Sequence, residues 1–283
     1  MPRYSLKDMA KRARPGIRRK AIVLRDIDPP GTLATNLYRG SYLPVIQVWS
    51  AAAERIIAAY AATVSEMTTD APADVKAEID GAAEQVNRLV LLLTPEVRSW
   101  ALSVESWQRK AWRGAVLAAT SVDLDTILSP EDVRASLATH IEWNVALIKD
   151  ISAQAQQRIS NAVFDGLRNR TPARDVAKAI REATGMARRR SVNVASDQLA
   201  KITSALADER RRDAGITAWE WVHGRKAHPR VAHVERNGNY YSDVAGDVGQ
   251  TINGKTLLAP PEDRPGQLPF CSCRSRAVID LSD

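Results

Sequence analysis

The sequence predicts an α+β protein. An elongated, mainly helical N-terminal body (residues 31–215) is followed by a small β-rich C-terminal module (residues 216–283), with a basic arm and linker (residues 1–30) ahead of both. Three observations predict this. Apolar residues recur at three- and four-residue spacing from Val45 almost to Gly215, the period of amphipathic helices. After Gly215 the spacing changes to alternation, and Asn-Gly pairs appear twice. Positive charge is concentrated at the start: residues 1–25 carry nine Lys or Arg and one Asp, whereas the whole chain of 283 residues is only +7.

The first segment is expected to behave as a solvated arm, and arms of this kind bind polyanions. Arg3, Lys7, Lys11, Arg12, Arg14, Arg18, Arg19 and Lys20 are its candidate nucleic-acid contacts. Residues 27–44, around "DIDPPG" and Pro44, have the composition of a linker. A helix is then predicted from Val45, with Val48, Trp49, Ala52, Ile56 and Tyr60 on one face, and a second over Asp74 to Leu93.

Three further helices are predicted to start with one grammar. "TPE" at 94–96, "SPED" at 129–132 and "TPARD" at 171–175 each offer a hydroxyl to cap free backbone N–H groups, with Pro next at a position whose N–H has no helical partner. In the first two, acids follow in the first turn, where the helix dipole favours them. The helix from Thr94 would bury Val97, Trp100, Ala101, Val104 and Trp107. The one from Ser129 keeps Val133, Leu137, Ile141, Ile148, Ala155, Ile159 and Val163 on one side. A shorter helix from Pro172 is expected to stop near Gly185, and a last one to cover about 187–213. In the module, "ITAWEWVHG" is predicted as a strand, and Asn237-Gly238 and Asn253-Gly254 as hairpin turns.

Composition excludes several classes. With 45% apolar residues a substantial core can form, and no apolar run approaches the roughly 20 residues of a membrane span. The N-terminus is basic but lacks the apolar stretch of a secretory signal, so a soluble protein in a reducing cytoplasm is expected. No Gly-rich phosphate loop and no Ser/His/Asp or Cys/His catalytic arrangement stands out, so no enzyme activity is expected.

The two cysteines, Cys271 and Cys273, lie together in "RPGQLPFCSCRSR". A Cys-x-Cys ring is too tight for relaxed disulfide geometry. Two readings remain. In one, the pair packs as small apolar side chains while His233 bonds backbone in a tight turn. In the other, His228, His233, Cys271 and Cys273 form a His₂Cys₂ set, the composition of structural zinc sites. No cofactor is otherwise expected. A module of this size, below roughly 70–80 residues, needs a staple, a metal or a partner.

The stretch 187–276 resembles the phage head morphogenesis family, the minor capsid proteins similar to protein F of phage Mu and protein 7 of phage SPP1. The matching residues run in order: Ala195, Asp197-Gln198, Arg210, Gly215 and Trp221; then Arg230, His233, Gly238 and Tyr241; then Pro260-Pro261, Pro265-Gly266, Cys271 and Cys273. The chain departs from the family at Lys226, Ala227 and His228, where acids are usual, and at Ser272, where the family has Arg between the cysteines. The resemblance implies a structural virion role. It implies a portal-bound minor capsid protein inside the head, assembled in the host cytoplasm, with portal, major capsid or scaffold proteins and packaged DNA as partners. It also implies assistance in capsid assembly and in DNA packaging or ejection. The alternative is a zinc-dependent nucleic-acid-binding protein or nuclease that uses the C-terminal module.

Overall fold

The computed structural model describes residues 2–16, 18–66 and 72–282. It is α+β, with a long helical body and a small C-terminal strand module. No helix among the described residues is long and apolar enough to cross a membrane.

The chain divides into two compact units that do not follow sequence order. One comprises Ala34–Trp100 and Thr139–Ala195; the other comprises Met1–Leu33, Ala101–Ala138 and Ser196–Asp283. The expected succession of arm, helical body and β module therefore differs from the observed division, because the arm and parts of three helices belong with the strands.

The first of these units is helical. It contains α3 (Leu43–Glu66) and parts of α4 (Pro72–Thr120), α5 (Arg134–Asn169) and α6 (Ala173–Asp213). Trp49, Ile56, Val86, Ile159, Val163 and Ile180 lie in its core. Polar tips of its buried aromatics are satisfied: Tyr42 Oη bonds Asn144 at 3.2 Å, Trp49 Nε1 donates to Ser152 at 2.9 Å, and Tyr60 Oη donates to the Thr171 carbonyl at 2.8 Å.

The structure corrects several predicted boundaries. Thr94-Pro95 does not start a helix, since α4 continues through Pro95 and Thr94 Oγ1 instead donates to the Val90 carbonyl. The apolar stripe Ile79, Ala82, Val86, Val90, Leu93, Val97, Ala101 and Val104 keeps its phase across the proline. Pro95 removes one N–H, and the carbonyl this orphans belongs to the exposed Leu91, which faces water. Trp107 is half-buried, and Glu105 and Gln108 are buried instead. Gly185 does not end a helix; α6 runs through it to Asp213 and stops at Gly215, with φ +68°. Residues 31–42 are not a linker but α2 (Gly31–Leu37) and a π-helical turn, and Pro44 sits in the first turn of α3. Ser129 does cap as expected, with Asp132 completing a capping box on a 3₁₀ turn before α5.

The other unit holds a six-stranded sheet of order β1-β6-β2-β3-β5-β4. The strands are β1 (Ala21–Val23), β2 (Ala218–Val222), β3 (Tyr240–Ser242), β4 (Thr251–Ile252), β5 (Lys255–Leu258) and β6 (Arg274–Asp280). All neighbours are antiparallel except β3 and β5. Side chains alternate between its faces: Ile22, Ala277 and Ile279 join Leu6, Trp112, Val116 and Leu124, while Ala21, Ala218 and Val278 join Tyr240, Ile252 and Leu257. The Asn253-Gly254 turn closes the β4–β5 hairpin with φ +51° and +74°, the left-handed pair a two-residue hairpin loop requires. Asn237-Gly238 is not a two-residue hairpin, because a loop and the short helix α7 (Val231–Glu235) lie between β2 and β3.

The N-terminal segment also departs from expectation. It is folded, not a free arm. α1 (Leu6–Ala13) buries Leu6 and Ala10, and β1 pairs with β6 in the register Ala21↔Asp280 to Val23↔Val278. Arg3 pairs with Asp132 at 2.6 Å, and Lys7 Nζ donates to the Ser282 carbonyl at 2.5 Å. Arg12 in the last turn of α1, Arg14 just after it, and Arg18, Arg19 and Lys20 just before β1 are exposed, with Arg14 Nε donating to Ser121 Oγ at 2.8 Å.

Candidate metal centre

Cys271 and Cys273 flank one residue just before β6 begins, so both side chains turn the same way into the module. They pack with Trp219, Trp221, Tyr241 and Leu268. α7 then presents a single histidine to this cluster. His233 is 3% exposed, and its Nδ1 lies 3.5 Å from Cys271 Sγ and 3.6 Å from Cys273 Sγ. The three potential ligand atoms are all within 4.8 Å of one another, and the set could hold a metal ion.

His228 does not join them. It lies on the exposed loop before Arg230, the N-cap of α7, and only the inward face of that one turn of helix reaches the thiols. The predicted four-ligand set is therefore three of its members.

The other nitrogen of His233 is occupied. Nε2 is 2.7 Å from Asp263 Oδ2, and the second oxygen of Asp263 accepts from Arg236 Nη1 at 2.7 Å. Burial works against ionisation of Asp263, but the hydrogen bonds from His233 and Arg236 outweigh it and hold its pKa below the usual carboxylate value. An ionised carboxylate can only accept, so Nε2 is the protonated nitrogen. His233 thus does not bond backbone through its ring, as the packing reading supposed.

The thiols are not equivalent. Cys271 is pushed down to about 5, first because Cys273 donates its proton toward it, and then because the backbone N–H groups of Cys273 and Gly266 face its sulfur, against the opposing effect of burial. Cys273 is pushed up, first by the proton it shares with Cys271 and next by burial. The Gly224 N–H and the indole of Trp221, which makes no hydrogen bond of normal length, oppose that rise. Both sulfurs thus lie in a pocket whose N–H groups favour thiolate. Trp221 closes one side of it, edge-on to the imidazole at 5.1 Å.

Two glycines allow this approach. A Cβ on Gly224 would collide with Ser272 Oγ, and one on Gly266 would meet Ser204 Cβ at 2.9 Å. α6 grips the same loop: Asp197 accepts from the Phe270 N–H at 2.5 Å, Lys201 Nζ donates to the Gln267 carbonyl at 2.7 Å, and Ser204 Oγ donates to the Pro265 carbonyl at 2.5 Å. Arg230 donates to the Pro269 carbonyl at 3.0 Å from the opposite side.

The structure thus brings together Asp197, Trp221, Arg230, His233, Cys271 and Cys273. Gln198 is buried beside Asp197 on α6. Gly238, with φ +82°, passes the chain back into β3 by donating to the Trp221 carbonyl. Pro260 and Pro261 lead out of β5, half-buried. Arg210 stands apart, thirteen residues along α6, in its own buried set with Glu105 at 2.8 Å and Gln108 at 2.5 Å. Sequence reasoning assigned no role to Asp263, Arg236 or Gly224, and Gly266 entered only through the family resemblance; the signal available for the others was only that they stand within a few residues of the His and Cys segments.

No family model matches the chain, and no solved structure matches it. An uncharacterized protein of Haemophilus influenzae (strain ATCC 51907 / DSM 11121 / KW20 / Rd) is 25% identical over 165 residues, which cover 58% of this chain and 34% of that protein. The match thus spans about a third of the relative's length.

Proposed function

We propose that this chain is a minor head protein of a tailed bacteriophage, held at the portal inside the capsid, where it assists assembly and the handling of packaged DNA. One observation carries the reading. Residues that bear the family resemblance come from three separate stretches, yet Asp197, Trp221, Tyr241, His233, Cys271 and Cys273 are all buried in a single knot that binds α6, the sheet and the 259–273 loop. Such burial suits a structural module. Its partners are the portal, the major capsid or scaffold proteins, and DNA at the exposed side chains of Arg12, Arg14, Arg18, Arg19 and Lys20. Fractionating purified particles into shell, portal vertex and tail tests it: the chain is expected with the portal vertex, and recovery only with tails, or not at all, would sink the idea.

The ion that suits the His/Cys/Cys set is zinc, in a structural role. With Zn–N of about 2.0–2.1 Å and Zn–S of about 2.3 Å, a tetrahedral centre places nitrogen and sulfur about 3.6 Å apart. The separations in the structure are 3.5 and 3.6 Å. Two thiolates also neutralise a divalent charge, which favours it in a dry pocket. The alternative, a zinc-dependent nucleic-acid enzyme, gains from the three-ligand set, a number also used by catalytic zinc. It loses from the burial of all three ligands, and a nuclease assay separates the two.

A further inference from the structure

We infer that Asp263 is the positioning residue of this centre: it selects the tautomer and orientation of His233 that present Nδ1, as a lone pair, to a divalent cation shared with Cys271 and Cys273. The inference rests on the zinc reading and goes beyond it, because it assigns a ligand-tuning role to a residue that binds no metal itself.

Neutral imidazole carries one N–H, and the nitrogen that keeps it is set by its partner. Asp263 Oδ2 at 2.7 Å claims the proton for Nε2, which leaves Nδ1 to face both sulfurs. Without the carboxylate, the ring could place its N–H on Nδ1, between the thiols, where it blocks a cation. The ring's tilt is also held: Trp221 stands edge-on to it at 5.1 Å, and Arg236 steadies the carboxylate at 2.7 Å while lying 5.1 Å above Trp221. Carboxylate, histidine and the two sulfurs thus stand in the order of a carboxylate–histidine–metal relay, and such relays raise ligand basicity as well as fixing direction.

The test uses the full chain stripped of metal and titrated with Co(II), then with Zn(II) against a competing chelator. The wild-type chain is expected to give the charge-transfer bands of thiolate–cobalt bonds. Asp263→Asn is expected to keep the fold, because the amide oxygen can still accept from Nε2, but to bind Zn(II) about 10–100-fold more weakly. Nitrogen NMR of the metal-free wild-type chain provides a readout independent of any variant: His233 is expected as the Nε2–H tautomer, shifting toward a mixture in Asp263→Asn. Equal Zn(II) affinity in the wild-type and Asp263→Asn chains, or an Nδ1–H tautomer in the wild-type chain, overturns the role of Asp263 alone. No Zn(II) binding by the wild-type chain overturns the zinc reading and this inference with it.

Discussion

Cys273→Ser tests, at the scale of one side chain, what the thiol pair contributes. The residue is 4% exposed among two tryptophans and a tyrosine. If zinc is held, its binding energy is folding energy, and losing a ligand should abolish the metal and melt the module. Packing alone would cost a few kcal/mol at most, as for a small buried residue made polar. We expect about one zinc per wild-type chain by elemental analysis, none in Cys273→Ser, and a chelator-sensitive melting temperature that the variant no longer shows. Chelator-insensitive melting of a metal-free wild-type chain would assign the pair to packing. Arg210 makes the complementary point about single residues. It was legible as part of a resemblance, but its partners Glu105 and Gln108 lie about a hundred positions away, and nothing local marks them for burial. Burial lowers its pKa while Glu105 opposes the fall, so this is an ion pair that depends on keeping both members.

Among the elements, starts and stops were harder to read than faces. Thr94-Pro95 has the chemistry of a helix start and Gly185 that of a stop, yet both sit inside long helices. Local capping is worth about 1 kcal/mol, whereas each large apolar side chain kept on the buried stripe is worth about 1.5–3 kcal/mol, so phase continuity wins. The continuous stripes through Val90, Leu93 and Val97, and through Ile180, Ala183 and Ala187, were the better signal. Gly166 in α5 poses the same contest with a testable sign. Replacing it with Ala would gain about 1 kcal/mol in helix propensity. The new Cβ, however, would meet Val176 Cγ2 at 2.7 Å and Tyr60 Oη at 2.8 Å, and Tyr60 is tied by its bond to Thr171. Overpacking costs about 1–3 kcal/mol, to which a strained hydrogen bond adds about 1 kcal/mol. Urea unfolding of Gly166→Ala should therefore show net destabilisation of about 1–3 kcal/mol; a stabilised variant would mean that Tyr60 swings aside freely.

For the whole molecule, the N-terminal segment changes the design of any DNA-binding experiment. Deleting residues 1–25 would strip β1 from β6 and take Leu6, Ala10, Ile22 and Leu24 out of the core. Three of these are large apolar side chains worth about 1.5–3 kcal/mol each, against a typical total stability of about 5–15 kcal/mol. The deletion is expected to unfold this unit, read as lost protease resistance and a lost melting transition. Arg18→Glu, Arg19→Glu and Lys20→Glu together leave that core intact, since all three side chains are exposed. They are expected to flatten the fall of log affinity with log salt by about 0.9 for each phosphate no longer neutralised. An unchanged slope would remove this cluster from any role with DNA.

By itself the sequence determined the α+β class, most of the apolar faces of α3 to α6, the Ser129 cap, the Asn253-Gly254 hairpin and the pairing of His233 with the two cysteines as candidates. These follow from local stereochemistry, or from periodicity within one element. Only the tertiary structure decided that the basic segment is a folded part of the sheet unit, that His228 is outside the cluster and that Asp263 is inside it. It also decided that the chain divides into two interleaved units. Each of those depends on which distant stretches meet: β1 finds β6 more than 250 positions away, and Asp263 reaches His233 across thirty. Neither separation leaves a mark on local composition, because the residues at both ends satisfy their own segment's pattern and gain their specific role only from meeting each other.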